Sequence, residues 1–303
     1  VKGTRVLDVN RLAVLVRIAH HGSITAAATS LSITPAAVSQ QLAKLEREVG
    51  CPLVDRHPRG VRLTAVGEAL AAHAETIVGQ VRAAEQHVQV LLGQQPTQLT
   101  VGTFASAGQT LVPPALARFR REYPDVALAL RDLEPPDGYG LVTSRELDLL
   151  ITHSYPGGTM PDAQGLRRFL LLTDPLRLAL PADHPLADRQ RIALKTLADY
   201  EWISGGPGIP NRVCLEHLAQ QAKVNVHVAY ETADYQVTLA LVAAGLGVAL
   251  VPSSLLDGLG DRRIAVRTLT GSPVARGIHL AHHRQPNPLA LAMIGFLTRS
   301  GNR

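Results

Sequence analysis

Cysteine is nearly missing from this 303-residue chain: Cys51 and Cys214 are the only two, and neither sits in a C-x-x-C pair. A disulfide framework and a cysteine-rich metal site are therefore excluded. Lysine is almost as scarce, since Lys2, Lys44, Lys195 and Lys223 leave 26 of the 30 basic residues as arginine. No apolar run reaches the about 18 residues that a membrane span needs, so no membrane partner is expected. No signal-peptide apolar stretch follows Val1–Arg5, which makes a cytoplasmic location the expectation. Catalytic signatures are absent too. There is no H-E-x-x-H, no G-x-S-x-G and no Walker loop, and the histidine pairs His20-His21 and His282-His283 are adjacent rather than spaced for a metal on a helix face. Neither an enzyme nor a metal or cofactor is expected. What is present is a folded composition, 46% hydrophobic and 18% charged, long enough for two or three domains.

The net charge of +5 is spread unevenly. Residues 1–93 carry ten basic against seven acidic side chains, and the remaining 210 carry twenty against eighteen. The denser positive charge of the first third is a weak pointer to nucleic acid. The chain changes character near Gly93-Gln94-Gln95-Pro96-Thr97. Before this point the pattern is nearly all helical. After it, apolar strands alternate with amphipathic helices, as in α/β architecture with parallel strands.

The periodicity predicts a first helix over roughly Arg11 to His20, with Leu12, Leu15, Val16 and Ala19 on one stripe and Gly22 at its end. Ser23 caps a short alanine-rich helix to Leu31. Thr34-Pro35 opens a third from Pro35 to Val49, with proline at the first helical position, where its missing N–H costs nothing. Ala37, Val38, Leu42 and Leu45 face inward and leave Ser39, Gln40, Gln41 and Lys44 outside. Two short helices joined by a tight turn, the second with a polar outer face, describe a helix-turn-helix. Pro52 to Leu63 reads as a small hairpin, or wing, bearing Arg56, Arg59 and Arg62. Thr64 then caps a helix of about 40 Å from Ala65 to Leu92. Leu70, Ile77, Ala84 and Leu91 interleave on it with Ala74, Val81 and Val88 in a coiled-coil seam, which packs either on its own domain or, the favoured reading, on a second copy.

Beyond the linker, strands are expected at Leu99–Phe104, Val126–Asp132, Leu147–Thr152, Leu166–Leu172, Leu176–Pro181, Trp202–Ser204, 224–231, Val248–Val251 and Ile278–His282. Helices are expected from Ser106 to near Tyr123, with Pro113-Pro114 in the first turn or at a kink, and over Leu141–Arg145, 211–222, 235–244 and from Asn287-Pro288 onward.

This order resembles the LysR-type transcriptional regulators. The residues that carry the likeness are Gly22-Ser23-Ile24-Thr25-Ala26-Ala27-Ala28, Thr34-Pro35-Ala36-Ala37-Val38-Ser39-Gln40-Gln41-Leu42, Leu45-Glu46, Gly50, Pro52-Leu53, Arg56 and Arg62-Leu63-Thr64-Ala65-Val66-Gly67. Looser motifs such as Tyr123-Pro124, His184-Pro185-Leu186-Ala187 and Val242-Ala243-Ala244-Gly245-Leu246-Gly247 extend it over the chain, and Val54 stands where the family usually has phenylalanine. The resemblance implies a winged helix-turn-helix over 1–64, a dimerising linker helix over 65–93, and an effector-binding part over 94–303. That part would have two α/β lobes like a periplasmic binding protein of type 2, lobe I from 98–167 and 272–303 and lobe II from 168–271.

Double-stranded promoter DNA, a second or fourth copy of the chain, an unidentified small-molecule effector and RNA polymerase are the implied partners. Gln40 suits adenine in the major groove, Ala36 and Pro35 a thymine methyl, and Ser39 and Lys44 the same exposed face. Ser23 and Thr34 lie at helix N-termini that favour phosphate, and Arg56, Arg59 and Arg62 suit phosphate or the minor groove. Thr103, Phe104, Ser106, Ala107, His153, Ser204, Gly205 and Thr232 are placed in the cleft at strand ends, where hydroxyls favour an anion. No arginine stands out as the ligand's partner. Two rivals remain: a DNA-binding regulator without an effector, against which the roughly 200-residue α/β half argues, and a solute-binding protein with a helical accessory domain.

Overall fold

Local capping sets the first three helices of the computed structural model, which describes residues 6–57, 60–93, 96–163, 165–271 and 273–301. Asp8 accepts from the Asn10 amide and opens α1 (Val9–His21), two residues earlier than the periodicity alone indicates, and Gly22 closes it at φ 59°. Ser23 caps α2 (Ile24–Leu31), and Thr34 caps α3 (Pro35–Val49) by accepting from the Ala37 amide. The wing is an antiparallel hairpin of β1 (Val54–His57) and β2 (Gly60–Leu63). Gly60 sits at φ 138°, and a Cβ there would lie 2.5 Å from the Gly22 carbonyl oxygen, which accepts from the Val61 amide. That contact ties the wing to the α1–α2 turn and leaves no room for a side chain.

The long helix α4 (Ala65–Leu91) divides its apolar seam between two tasks. Leu70, Ala71, Ala74 and Val78 join Leu12, Leu15, Ile18, Val38, Leu42, Leu45 and Leu53 in the core of the N-terminal unit. Farther along, Ile77, Val81, Val88 and Leu91 are exposed, by 40%, 38%, 51% and 74%. The seam is thus only partly spent on the chain's own core, and the rest of it is open to solvent.

The C-terminal part runs β3 (Gln98–Thr103), α5 (Ala105–Thr110), α6 (Val112–Glu122), β4 (Ala127–Asp132), α7 (Pro135–Thr143), β5 (Leu149–Ser154), β6 (Leu166–Pro181) and β7 (Arg191–Ile192). A 3-10 turn (Leu194–Leu197) precedes β8 (Glu201–Ser204), α8 (Pro210–Ala222), β9 (His227–Glu231), α9 (Tyr235–Ala243), β10 (Ala249–Pro252), α10 (Ser253–Leu256), β11 (Ile264–Leu269), β12 (Ala275–His283) and α11 (Pro288–Gly301). The main sheet has the order β4-β3-β5-β12-β6-β11-β7, with β10 also paired to β6. β3 is parallel to β4 and β5, whereas β12 runs antiparallel to β5 and β6, so the sheet is mixed rather than wholly parallel.

Three sequence expectations change here. The two strands expected at 166–172 and 176–181 are one continuous strand, β6. Its first half pairs with β12 and its second half with β10 and β11, so Pro175, which has no N–H, falls where the ladder changes partners. The single helix expected up to Tyr123 is broken at Leu111, because Pro113 and Pro114 begin a new first turn in α6. The short helix expected at 141–145 instead starts at Pro135, since prolines at the first turn permit a helix that they would break elsewhere.

Candidate nucleic-acid interface and inter-lobe cluster

Helix α3 turns one face inward and leaves the other to solvent. Val38, Leu42 and Leu45 are fully buried, while Pro35, Ala36 and Gln40 are exposed and Ser39 and Lys44 half-buried. The Ser23 and Thr34 hydroxyls each accept from the third amide of their helix and so cap its start. Arg56 and Arg62 are exposed on the wing and, by register, Arg62 stands opposite Asp55. Arg59 lies outside the described residues. The open face of α3 thus carries short polar side chains, and the wing carries exposed guanidinium groups, a chemistry suited to phosphate and base edges.

A second constellation lies between the lobes, where β6 passes from one to the other beside the start of β12. Arg276 of β12 is 2% exposed and Asp174 of β6 is 3% exposed. The Arg276 Nε and Nη2 donate to Asp174 Oδ2 at 3.0 and 2.9 Å. Nη1 donates to Ser106 Oγ at 2.8 Å and to the Tyr155 hydroxyl at 3.1 Å. Asp174 also accepts from the Ser254 hydroxyl at 2.7 Å and the Ser254 amide at 3.1 Å. The guanidinium carbon stands 5.5 Å from the centroid of Phe104 and 5.9 Å from that of Tyr155, a cation–π cage.

Burial alone would pull the Arg276 guanidinium down. Tyr155, Tyr235 and Asp174 outweigh it, so the net shift is upward and the group stays charged. Burial holds the Tyr235 hydroxyl well above its usual value and pushes the neighbouring Cys214 thiol up to about 12, so both stay protonated. Further hydrogen bonds between the lobes join Tyr155 to Tyr235 at 3.0 Å and Gln236 to Gln109 at 3.1 Å.

Two family descriptions match, "Bacterial regulatory helix-turn-helix protein, lysR family" over residues 9–68 and "LysR substrate binding domain" over residues 92–302. The chain belongs to the LysR family. It is a sequence-specific DNA-binding transcriptional regulator of that type. Among curated relatives, an uncharacterized HTH-type transcriptional regulator, YybE, of Bacillus subtilis is 29% identical over 241 residues, 80% of each chain. The HTH-type transcriptional regulator CbbR of Xanthobacter flavus is 29% identical over 92% of this chain and 84% of its own. Full-length OxyR C199D from Pseudomonas aeruginosa shares the fold with a TM-score of 0.71 at 24% identity, over 98% of this chain and 95% of its own. CbnR, solved with its target DNA, has a TM-score of 0.55 at 21% identity, over 97% of this chain and all of its own. No helix among the described residues is long and apolar enough to cross a membrane.

In this LysR-type regulator the eight residues expected in the cleft divide into groups. Phe104, Ser106 and His153 join the inter-lobe cluster, with His153 edge-on to both Phe104 and Tyr155. Ala107 instead packs into the apolar core of lobe I, and Thr103, 1% exposed, turns its hydroxyl toward the Phe104 carbonyl at 3.3 Å. Ser204, Gly205 and Thr232 form a second group on lobe II, where the Thr232 amide donates to the Ser204 carbonyl and Gly205 packs against Ile209 and Asn211.

The sequence singles out no arginine here, and the structure places Arg276 at the centre of the inter-lobe cluster. Asp174, Tyr155, Tyr235 and Ser254 were missed as well. A lone charge set in the strand Ala275-Arg276-Gly277-Ile278 was the available signal. Its partner lies 102 residues away, and only the pairing of β6 with β12 brings the two together.

Proposed function

We propose that this regulator reads an inverted repeat in promoter DNA as a dimer or dimer of dimers, and that a small molecule entering between the lobes resets the spacing of the paired reading heads. The observation that carries the DNA half is the polar outer face of α3, held out by the buried Val38, Leu42 and Leu45. Gln40 and Ser39 would meet base edges, Pro35 and Ala36 a thymine methyl, and Ser23, Thr34, Lys44, Arg56 and Arg62 the backbone. The exposed Ile77, Val81, Val88 and Leu91 on α4 supply the dimer seam. RNA polymerase is the further partner that promoter binding implies.

In the cleft, Arg276 is the charge that an anionic effector would meet, and Asp174 is the anion it would displace. Fluorescence anisotropy on a duplex selected from random sequence tests the DNA reading. With about four phosphates per half, log Kd should change with log salt at a slope of about 7 in magnitude; a salt-independent Kd would refute it. A thermal-shift panel of small carboxylates tests the cleft. Ser106→Leu should abolish any shift and leave DNA affinity intact.

A second reading, a regulator without an effector, is favoured by one observation: Arg276 already has Asp174, Ser106 and Tyr155 as internal partners. Under this reading no ligand shifts the melting temperature, and Ser106→Leu leaves regulation unchanged.

A further inference from the structure

The junction between the DNA-reading unit and lobe I is built around one carboxylate. Glu146 lies in the turn between α7 and β5, and its side chain is only 4% exposed. Three arginines from three elements face it. Arg17 of α1 makes a direct ion pair with it, Arg82 of α4 lies 3.5 Å away, and Arg131 of β4 lies 3.9 Å away. Its other neighbour is the Ser144 hydroxyl, which donates to Oε1 at 3.0 Å. Arg82 also donates to the Ser144 carbonyl at 2.6 Å.

The backbone around this group is shaped for close approach. Gly79 of α4 lies against the Thr143 carbonyl, so that a Cβ would stand 2.1 Å from its oxygen. Gly140 of α7 lies against the Glu75–His20 pair, with a Cβ only 2.4 Å from Glu75 Oε1 and 2.9 Å from His20 Nε2. Arg145 turns the chain at φ 57° just before Glu146, and its guanidinium meets His283 Nδ1 of β12 at 2.9 Å. The turn that presents Glu146 is thereby tied both to its own helix and to the strand that bears Arg276.

We infer that Glu146 is a positioning residue, through which lobe I fixes the orientation of α1, and with it the recognition helix α3, on its own chain. Among the described residues, Glu146 is the carboxylate in ion-pair contact with all three of Arg17, Arg82 and Arg131, and Glu85 adds an attraction for Arg82 alone. Without it the same surfaces bring three like charges together in a half-buried setting, which favours separation. α1 packs directly on α3 through the shared core, so the two move as one body. The inference needs neither an effector nor a DNA site, and its failure would leave the functional reading untouched.

The test measures the angle between the units in the full chain. Ala43 of α3 and Ala117 of α6 are exposed and are replaced by cysteine for spin labels in a Cys51→Ser background. The labelled chain is diluted tenfold with unlabelled chain so that distances within one chain are read by double electron–electron resonance. The unaltered junction should give a single narrow distance. Glu146→Gln, which keeps the shape and the Ser144 contact, should at least double the width of the distribution. Arg17→Gln, made on the other side of the junction, should do the same even if the Glu146 variant fails to fold, and Arg17→Lys should restore the narrow peak. Unchanged distributions in folded Glu146→Gln and Arg17→Gln chains would overturn the inference. So would an equal broadening in Arg17→Lys.

Discussion

Replacing Asp174 by asparagine should destabilise the protein more than any surface change, and the reason lies in what is left behind. Arg276 would keep its charge at 2% exposure and lose the ionised partner of its Nε and Nη2 hydrogen bonds, for which the amide oxygen is only a neutral acceptor. Removing one partner of such a buried pair costs about 3–5 kcal/mol, because the survivor is desolvated without compensation. In a part of this size each kcal/mol moves the melting temperature by about 2–4 °C, so a drop of about 10 °C is expected.

Trp202 is the single tryptophan, fully buried in lobe II, and its fluorescence reports unfolding there during urea titration. The double variant Asp174→Leu with Arg276→Met should recover most of the loss, since apolar replacement of a whole buried pair is about neutral or better. An Asp174→Asn chain whose unfolding free energy stays within about 0.5 kcal/mol of the parent would refute the argument, because that bound is far below the cost of an orphaned charge.

Val81→Asp with Val88→Asp should raise the dimer dissociation constant at least about a hundredfold in sedimentation velocity, since the half-exposed valines would each forfeit about 1 kcal/mol of burial per helix and add facing charges. Circular dichroism should show the helix content retained. Gln40→Ala should cost about 1–3 kcal/mol on the selected duplex and relax preference at one base pair, whereas Arg62→Ala should weaken all duplexes alike and reduce the salt slope by about one. His279, His283 and His184 all have pKa values lowered, first by burial; Arg168 and His153 add to this for His279, and Arg145 and His282 for His283. The unfolded chain therefore binds more protons, and stability should fall as pH drops from about 7 through the unfolded histidine range near 6.5. His279→Gln, which keeps a hydrogen-bonding group for Ser154, should flatten that slope in denaturant titrations at successive pH values.

What the sequence determined by itself is local. The caps Ser23 and Thr34, the proline at the start of α3 and the glycines that end α1 and α3 act within a turn of their own positions, so the three reading helices and the wing are legible residue by residue. The heptad spacing on α4 is legible as well. Which half of that seam is spent on the protein's own core depends on where α1 and β1 lie, and only the packed fold decides this.

Phe104, Ser106 and His153 of the inter-lobe cluster were legible as strand-end residues, but its charged pair and the Glu146 junction were not. Asp174 and Arg276 are 102 residues apart, and Arg17 and Glu146 are 129 apart. Neither pair has a spacing rule, since helix and strand periods carry information only over neighbouring turns. A charge in a strand reads as a solvated face until the sheet order places its partner opposite. The tertiary structure makes that placement, and with it turns single charges far apart in the chain into two buried contacts.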